Sequence, residues 1–483
     1  MDFDNFSFKL NPHTFVRDFG NCIYMENQVN HVKGYFNGWT YPLTRNIFHS
    51  YTTFSFWNDY WLQPFDRGNY GAWISEDLRA KFLYWLNEMW FIDIIDTYGA
   101  KTGGDFSYKC ADEVEAKFTG KMCGSPANLH TDTPWLQRLQ INITDACNER
   151  CTHCYLPVPK KDRATAIPTD TVIDLLKQFR KMNGLKVVLS GGEIFMYRNL
   201  FAILDECRKQ DLMILLQSNM ATATPDDIAR LKTLDLFNIQ VSLYSTDETV
   251  HDSITRCHGS CRKTMANIKE LVINDIPATI SCPVTQANFA SVEQLREWAA
   301  NLGLNVHFDY VVMAQCDGSD GNIGNRLTSI QARKLIDMEV RSKPVFVDAI
   351  GKARSLDDLL SSPIGLRRQG CSILADSMCI DSDGLAYPCP GWNGMKIGNT
   401  ATKPLQEIWA NSAAATRLRE TEKDDFVQCR ECKLQNFCNM CPTYNYNENG
   451  GDMFKPCPSF CENARLLRQS LIEQYNELHA TKP

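Results

Sequence analysis

Three cysteines at close spacing are the residues in this chain with the clearest capacity for chemistry. Cys147, Cys151 and Cys154 stand in the run DACNERCTHCYLP, a C-x3-C-x2-C pattern on a loop after the predicted strand Leu139–Ile143. An iron–sulfur cluster normally takes four cysteines, so three thiolates leave one iron for an exogenous ligand. The spacing predicts a reactive cluster. A zinc loop that takes its fourth ligand from elsewhere, or a set of reduced core cysteines, is the alternative.

The segment after the cysteine loop alternates between predicted strands and helices. An amphipathic helix opens at Pro168 and Thr169, and further strands are predicted at Lys186–Leu189, Leu212–Leu216, Asn238–Leu243, Ala278–Val284 and Asn305–Val312. This alternation predicts a parallel sheet of about six strands. Periodicity does not separate a barrel from an open doubly wound sheet, but both place ligands in the loops after strand ends.

A glycine pair lies at one of these strand ends. Ser190 follows the predicted strand Lys186–Leu189, and Gly191, Gly192 and Glu193 come directly after it. Adjacent glycines let the polar end of a ligand approach backbone groups without a Cβ in the way. A simple turn is the alternative for a motif this short.

Together, the cysteine triplet and the Gly-Gly-Glu motif one β-α unit downstream resemble the radical S-adenosylmethionine (radical SAM) superfamily. In that family the amine and carboxylate of SAM fill the open iron site, and the glycine-rich motif binds the SAM amino group. The resemblance implies that a serine within the predicted strand Asn238–Leu243 reaches the SAM ribose. It also implies that polar residues at the end of the predicted strand Leu212–Leu216 face the cofactor. The implied cofactor-binding residues are Gly191, Gly192, Glu193, Gln217, Ser218, Asn219 and Ser242.

The C-terminal third holds nine of the twenty cysteines. Its spacing, Cys371-x12-Gly384-x4-Cys389 followed by C-x2-C-x5-C-x2-C, resembles the SPASM extension of radical SAM enzymes, which usually carries two auxiliary 4Fe–4S clusters. The last pair is spaced x2 where the family has x3. A structural zinc site is the alternative, since paired C-x2-C knuckles bind zinc readily.

The SPASM resemblance also implies ligand sets, and with the cluster on the triplet it gives three 4Fe–4S clusters. One auxiliary cluster would take Cys371, Cys379, Cys389 and Cys441. The other would take Cys429, Cys432, Cys438 and Cys461, with Cys457 as the alternative to Cys461.

Length and composition exclude several classes of protein. A chain of 483 residues suggests about three domains, and a net charge of -7 argues against a general nucleic-acid binder. The chain has no N-terminal signal pattern and no run of the roughly 18 apolar residues that a membrane span needs. We therefore expect a cytoplasmic protein without a membrane partner, in which cysteines serve metal or redox roles rather than disulfides.

The first 130 residues are rich in aromatic side chains and lack metal-ligand spacing. Arg17–Met25 is predicted as a strand with a turn, and Ser75 is predicted to cap a helix with an apolar face. The pattern is similar to the small winged-helix domain that many peptide maturases use to bind a leader peptide as an added strand. An N-terminal cap that packs against a barrel is the alternative.

The predicted fold class is α/β, a partial (β/α)6 TIM-like barrel with an N-terminal winged-helix-like peptide-recognition domain and a C-terminal cysteine-rich SPASM domain. The boundaries are 1–130, 131–335 for the radical SAM core and 336–483. The resemblance implies an enzyme that reductively cleaves SAM to a 5′-deoxyadenosyl radical and abstracts hydrogen from a ribosomally made precursor peptide with a leader sequence, installing a thioether or C–C crosslink. A flavodoxin- or ferredoxin-type protein would supply electrons.

Two other functions stay open at this point. A sulfatase-type maturase that makes formylglycine carries an Asp after the third cysteine of its first auxiliary group, where this chain has Pro390 after Cys389. A non-catalytic zinc or peptide-binding scaffold is the second alternative. No residue is identified as the catalytic base, and Cys316 is noted for its strand-end loop. The thiols interpreted as ordinary are Cys22, Cys110, Cys123, Cys207, Cys257, Cys261, Cys282 and Cys316.

Overall fold

The computed structural model describes residues 6–20, 22–37, 44, 54–55, 86–87, 89, 91–96, 134–157, 164–361 and 374–480. The chain divides into two compact units. One comprises Met1–Trp135 with Asp211–Met213, and the other comprises Leu136–Gln210 with Ile214–Pro483. Within the described ranges, no helix combines the length and apolar character that crossing a membrane requires.

The described strands of the first unit form two antiparallel sheets. They are β1 (Phe6–Leu10), β2 (Thr14–Asp18), β3 (Cys22–Asn27), β4 (Lys33–Asn37), β5 (Phe54–Ser55) and β6 (Ile92–Asp96). One sheet has the order β5-β1-β6 and the other the order β2-β3-β4. The predicted strand with a turn at Arg17–Met25 is confirmed as the β2–β3 hairpin, which turns through Gly20 at a φ of +84°. Of the helix predicted from Ser75 onward, only Leu86, Asn87 and Met89 are among the described residues.

A nine-stranded sheet organises the second unit. Its strands are β7 (Arg138–Thr144), β8 (Lys186–Gly191), β9 (Met213–Ser218), β10 (Asn238–Ser242), β11 (Ala278–Pro283), β12 (Val306–Asp309), β13 (Ser377–Ile380), β14 (Leu385–Tyr387) and β15 (Gly398–Asn399). The spatial order is β12-β11-β10-β9-β8-β7-β13-β14-β15, with β7 to β12 forming a parallel sheet. Because this order never reverses between β7 and β12, the sheet has no switch point of the doubly wound kind. The partial-barrel prediction is confirmed.

Helices follow most of these strands. They span Thr169–Lys181, Leu200–Lys209, Pro225–Lys232, Glu248–Thr255, Ser260–Ile273, Val292–Asn301, Ser329–Ser342, Pro344–Lys352, Leu356–Ser361, Leu405–Asn411, Ala413–Arg419, Val427–Arg430, Pro442–Glu448 and Pro458–Ala480. The first shows why the sequence folds this way, since Val172, Leu176 and Phe179 recur at helical spacing and are fully buried. Apolar strand residues such as Ile141 and Leu189 are equally buried. The sheet is thereby fixed beneath its helices.

The C-terminal segment extends the barrel sheet, which the sequence analysis did not predict. Strand β13 pairs parallel to β7, with Cys379 opposite Gln140, and then turns back into β14 through Gly384 at a φ of +78°. The overlooked signal was the Asp-Gly pair at that turn, which favours a hairpin. This pairing places Cys379 on the strand next to the one that leads into the cysteine triplet.

Most element boundaries differ slightly from prediction, and two of the differences concern residues near the site. Strand β12 ends at Asp309 rather than Val312, because the Val312 carbonyl accepts a hydrogen bond of 2.8 Å from Arg326 Nε instead of pairing within the sheet. The last helix begins at Pro458, so Cys461 lies in its first turn rather than before it.

Candidate cofactor and substrate site

A cavity of about 820 Å³ lies along the inner side of the parallel sheet. Its walls come from the cysteine loop, from β7 to β12 and from the C-terminal segment. The predicted site residues that line it are Cys147, Cys151, Cys154, Gly191, Gly192, Gln217, Ser218, Asn219, Ser242, Cys389 and Cys441. Cys147 and Cys441, which are more than 290 positions apart in the sequence, thus line the same cavity.

Polar side chains cover much of the sheet surface that faces this cavity. Gln217 on β9 lies opposite Gln240 on β10 and donates a 2.8 Å hydrogen bond to its side-chain carbonyl. Ser242 lies opposite Ser281 on β11. A closed barrel normally fills this space with bulky apolar residues. Polar groups around an open volume are instead suited to a polar ligand.

The glycine pair holds the cysteine loop against β8. Gly192 N donates to Thr144 O at 2.7 Å, and Glu193 N donates to Ala146 O at 2.7 Å. A Cβ on Gly192 would lie 2.2 Å from Ala146 O, and Gly191 adopts a φ of +141°. Glycine is therefore required at this position because two backbone segments are in contact. This reason is separate from the approach of a ligand, which the sequence analysis gave.

Glu193 lies behind the cavity wall. Its carboxylate is fully buried and accepts hydrogen bonds from Ser218 Oγ at 2.7 Å and from Asn219 N at 2.7 Å. Burial raises the pKa of Glu193, and these donors oppose the increase. The side chain thus positions two predicted cofactor-binding residues rather than lining the cavity itself.

The thiols of the triplet are held among polar neighbours. Asn219 Nδ2 lies 3.9 Å and Glu149 N lies 3.4 Å from Cys147 Sγ. Cys151 Sγ lies 3.4 Å from Glu149 Oε2 and 3.7 Å from Tyr244 Oη. Burial raises the pKa of Cys147 to about 12 and that of Glu149 to about 7. A metal centre is the ordinary means of keeping such buried thiols deprotonated.

The cavity walls also contain polar atoms that need a partner. Among the described residues, His153 Nδ1 and Glu149 Oε1 are buried without a hydrogen bond, and both residues line the cavity. Burial lowers the pKa of His153 to about 4, so the ring is neutral at pH 7. An unsatisfied buried polar group is costly. These atoms, the polar sheet and the three soft thiols fit a cluster with a polar organic cofactor.

The described cysteine sulfurs are not grouped as closely as in a preformed zinc site. In the described parts of the chain, no three cysteine sulfurs lie within 4.8 Å of one another. Tetrahedral zinc with Zn–S bonds of about 2.3 Å holds its sulfurs about 3.8 Å apart. A four-iron cluster separates its thiolates more widely because several metal atoms stand between them.

Three cysteines of the first auxiliary set lie beside or near the cavity. Cys389 and Cys441 line it, and Cys389 Sγ is 3.0 Å from Thr443 Oγ1. Burial raises the pKa of Cys379 well above its usual value, and Asp381 and Cys389 raise it further. Cys379 and Cys389 are therefore neighbours. Cys371 lies outside the described residues.

The second auxiliary set forms a separate group near the surface. Burial raises the pKa of Cys438 to about 11, with further increases from Cys461, Cys429 and Cys432. Cys432 and Cys461 are exposed.

Cys457 lies apart from this group. Its Sγ is 3.3 Å from Glu448 Oε2, and the charges that affect its pKa are those of Glu448 and Arg326. Of the two cysteines, Cys461 is therefore the one that lies with Cys429, Cys432 and Cys438.

Several cavity residues were missed by the sequence analysis. They come from the cysteine loop, the segments after strand ends and the C-terminal helices, and include Glu149, His153, Tyr155, Tyr244, Asp309, Met313, Thr443 and Tyr444. For Tyr244 the available signal was its position two residues after Ser242. Cys316 is buried beside the wall, with its N–H donating to Tyr155 O at 2.9 Å, and does not line the cavity.

Comparison with known proteins matches this architecture. Residues 141–299 match the Radical SAM superfamily, and residues 371–433 match SPASM, described as an iron–sulfur cluster-binding domain. The chain is 22% identical to the AdoMet-dependent heme synthase of Methanosarcina barkeri over 64% of this chain and 91% of that protein. It is 24% identical to the antilisterial bacteriocin subtilosin biosynthesis protein AlbA of Bacillus subtilis, over 71% and 77% respectively.

A solved structure shares the fold across most of the chain. Streptococcus suis SuiB bound to its precursor peptide SuiA superposes with a TM-score of 0.56 at 14% identity, covering 93% of this chain and 98% of SuiB. The chain therefore contains a radical SAM domain at residues 141–299 and a SPASM domain at residues 371–433. It is a radical SAM/SPASM enzyme, as the sequence analysis predicted.

We predict that Gly192→Ala weakens SAM binding about tenfold, which corresponds to about 1.4 kcal/mol. The added methyl group collides with Ala146 O and displaces the loop that carries Cys147. Equilibrium dialysis of SAM against anaerobically reconstituted protein measures the change. Gly351→Ala is the matched control, because a Cβ there meets nothing within 4 Å. Equal SAM affinity in Gly192→Ala and the wild type would refute the positioning role of this contact.

We also predict that Cys461→Ala and Cys457→Ala differ in iron content. Cys461 lies with the second auxiliary set, so its removal should lower iron by about four atoms per chain, the content of one 4Fe–4S cluster. Cys457→Ala, which alters a thiol beside Glu448, should retain the wild-type content. Iron and acid-labile sulfide analysis of the two variants and the wild type measures the difference. Loss of iron on replacing Cys457 alone would reverse the assignment.

Proposed function

We propose that this chain uses SAM to abstract hydrogen from a ribosomally made peptide and installs a thioether or C–C crosslink. One observation carries the proposal. A single cavity is lined by the cysteine triplet at Cys147, Cys151 and Cys154 and by the SPASM thiols Cys389 and Cys441. A substrate bound there would lie near both groups of thiols.

Each group of residues has a proposed role. The triplet would hold the catalytic 4Fe–4S cluster, and Gly191, Gly192, Gln217, Ser218, Asn219 and Ser242 would bind SAM, with Glu193 positioning two of them. When bound, the cluster and SAM supply a 5′-deoxyadenosyl radical, and the protein contributes orientation and exclusion of water. Two auxiliary clusters would use Cys371, Cys379, Cys389 and Cys441, and Cys429, Cys432, Cys438 and Cys461.

The charge of the cavity supports a peptide over a haem-type substrate. Haem carries propionate carboxylates, which favour basic side chains as partners. Among the described residues that line the cavity, Arg138 is the only lysine or arginine, and the acidic residues Glu149 and Asp309 line the same space. The described cavity wall therefore offers few basic partners for the propionates of a haem-type substrate.

The N-terminal unit also supports a peptide substrate. The structure of SuiB with its precursor peptide covers 93% of this chain. We propose residues 1–130 as the leader-peptide domain, 131–335 as the radical SAM core and 336–483 as the SPASM domain. The antiparallel sheets in the described part of residues 1–130 are of the kind that bind peptides by strand addition.

The remaining proposals concern the environment of the enzyme and the alternative reaction. We propose a cytoplasmic location and a flavodoxin- or ferredoxin-type electron donor. Formylglycine formation is less well supported, because Pro390 lines the cavity at the position after Cys389 and has no carboxylate.

We predict that the enzyme removes two hydrogen atoms from a cysteine-containing precursor peptide. The test incubates anaerobically reconstituted protein with SAM, dithionite and precursor peptides encoded beside its gene, followed by mass spectrometry. Alkylation distinguishes the products, since a thioether loses a free thiol and a C–C crosslink does not. A Cys151→Ala protein is the control. Conversion of a haem precursor with no change in any peptide would contradict the proposal.

A further inference from the structure

We propose that Tyr244 sets the reduction potential of the catalytic cluster by donating a hydrogen bond to the Cys151 sulfur. This inference rests on the proposed function, in which Cys151 is a cluster ligand. It adds a residue that neither binds metal nor belongs to the predicted SAM contacts.

The geometry places the hydroxyl at the thiol. Tyr244 Oη lies 3.7 Å from Cys151 Sγ, and the tyrosine is 6% exposed on the wall of the cavity. A metal-bound thiolate carries no proton, so the phenol is the group that can donate. A tyrosine phenol ordinarily has a pKa of about 10, so it carries a proton to donate at pH 7.

Neighbouring groups fix the ring in this orientation. It meets the His153 ring edge-to-face at a centroid distance of 4.5 Å and stacks on His251 at 5.2 Å with an interplanar angle of 18°. Tyr244 N donates to His251 Nδ1 at 3.2 Å, and Asn288 Nδ2 donates to Tyr244 O at 2.9 Å. The hydroxyl is therefore preorganised at the sulfur and loses little freedom on forming the bond.

The direction of the effect follows from charge. Reduction adds an electron to the cluster, and a hydrogen-bond donor stabilises the more negative state, so donors to sulfur raise the potential. Glu149 Oε2 lies 3.4 Å from the same sulfur. It is present in wild type and variant alike, so removing only the hydroxyl isolates the contribution of Tyr244.

The test compares Tyr244→Phe with Tyr197→Phe in the full-length, anaerobically reconstituted protein. Tyr197 Oη donates to Ile167 O at 2.7 Å and lies 3.0 Å from Thr169 Oγ1, so its replacement removes a hydroxyl whose described hydrogen-bond partners are not thiols. Potentials are measured by redox titration with EPR detection. The catalytic cluster is the signal that changes on adding SAM and is missing from a protein with Cys147, Cys151 and Cys154 all replaced by alanine.

We expect Tyr244→Phe to lower the ratio of reduced to oxidised catalytic cluster about tenfold at a fixed potential, or about 59 mV for a one-electron couple. Tyr197→Phe should leave it unchanged. An unchanged potential in Tyr244→Phe, or an equal shift in both variants, would overturn the inference.

Iron content separates tuning of the cluster from loss of the site. If Tyr244→Phe loses iron, Tyr244→Trp provides a second aromatic replacement without the hydroxyl. Loss of iron in both variants would mean that Tyr244 is needed to retain the cluster, and would overturn its role in setting the potential. If the wild-type protein shows no EPR signal that changes on adding SAM, both the proposed function and this inference are contradicted.

Discussion

The site depends on a close backbone contact between the end of β8 and the start of the cysteine loop. Gly192 and Glu193 donate hydrogen bonds to Thr144 O and Ala146 O, and a Cβ on Gly192 would lie 2.2 Å from the latter oxygen. This contact fixes where Cys147 leaves the sheet. Because Glu193 also binds Ser218 and Asn219, the same few residues position three neighbouring parts of the cavity wall.

The parallel pairing of β13 with β7 brings the cysteines of the C-terminal segment to this wall. It adds a strand of the C-terminal segment to the edge of the barrel sheet, so Cys389 and Cys441 share a cavity with the triplet. The sheet face toward this cavity carries Gln217, Gln240 and Ser242 in place of a packed apolar interior. Edge pairing and a polar inner face thus produce an enclosed volume beside two groups of thiols.

The sequence predicted the parts of the site whose signals are local. Cysteine spacing, the glycine pair and alternating strands lie within short windows, and each corresponds to a feature of the fold. Tyr244, Asp309 and Tyr444 were missed because their roles depend on how distant segments meet at the cavity. Glu193 shows the reverse case, in which a residue within a recognised motif lies behind the wall and orients its neighbours.

The most direct measurement of this account is iron and sulfide content combined with reductive SAM cleavage. Replacing Cys147, Cys151 and Cys154 by alanine should reduce about twelve irons per chain to about eight and abolish formation of 5′-deoxyadenosine. Cys207→Ala, which alters a buried thiol outside these sets, should change neither quantity. Zinc in place of iron, or SAM cleavage that survives the triple substitution, would contradict a SAM-binding cluster at this loop.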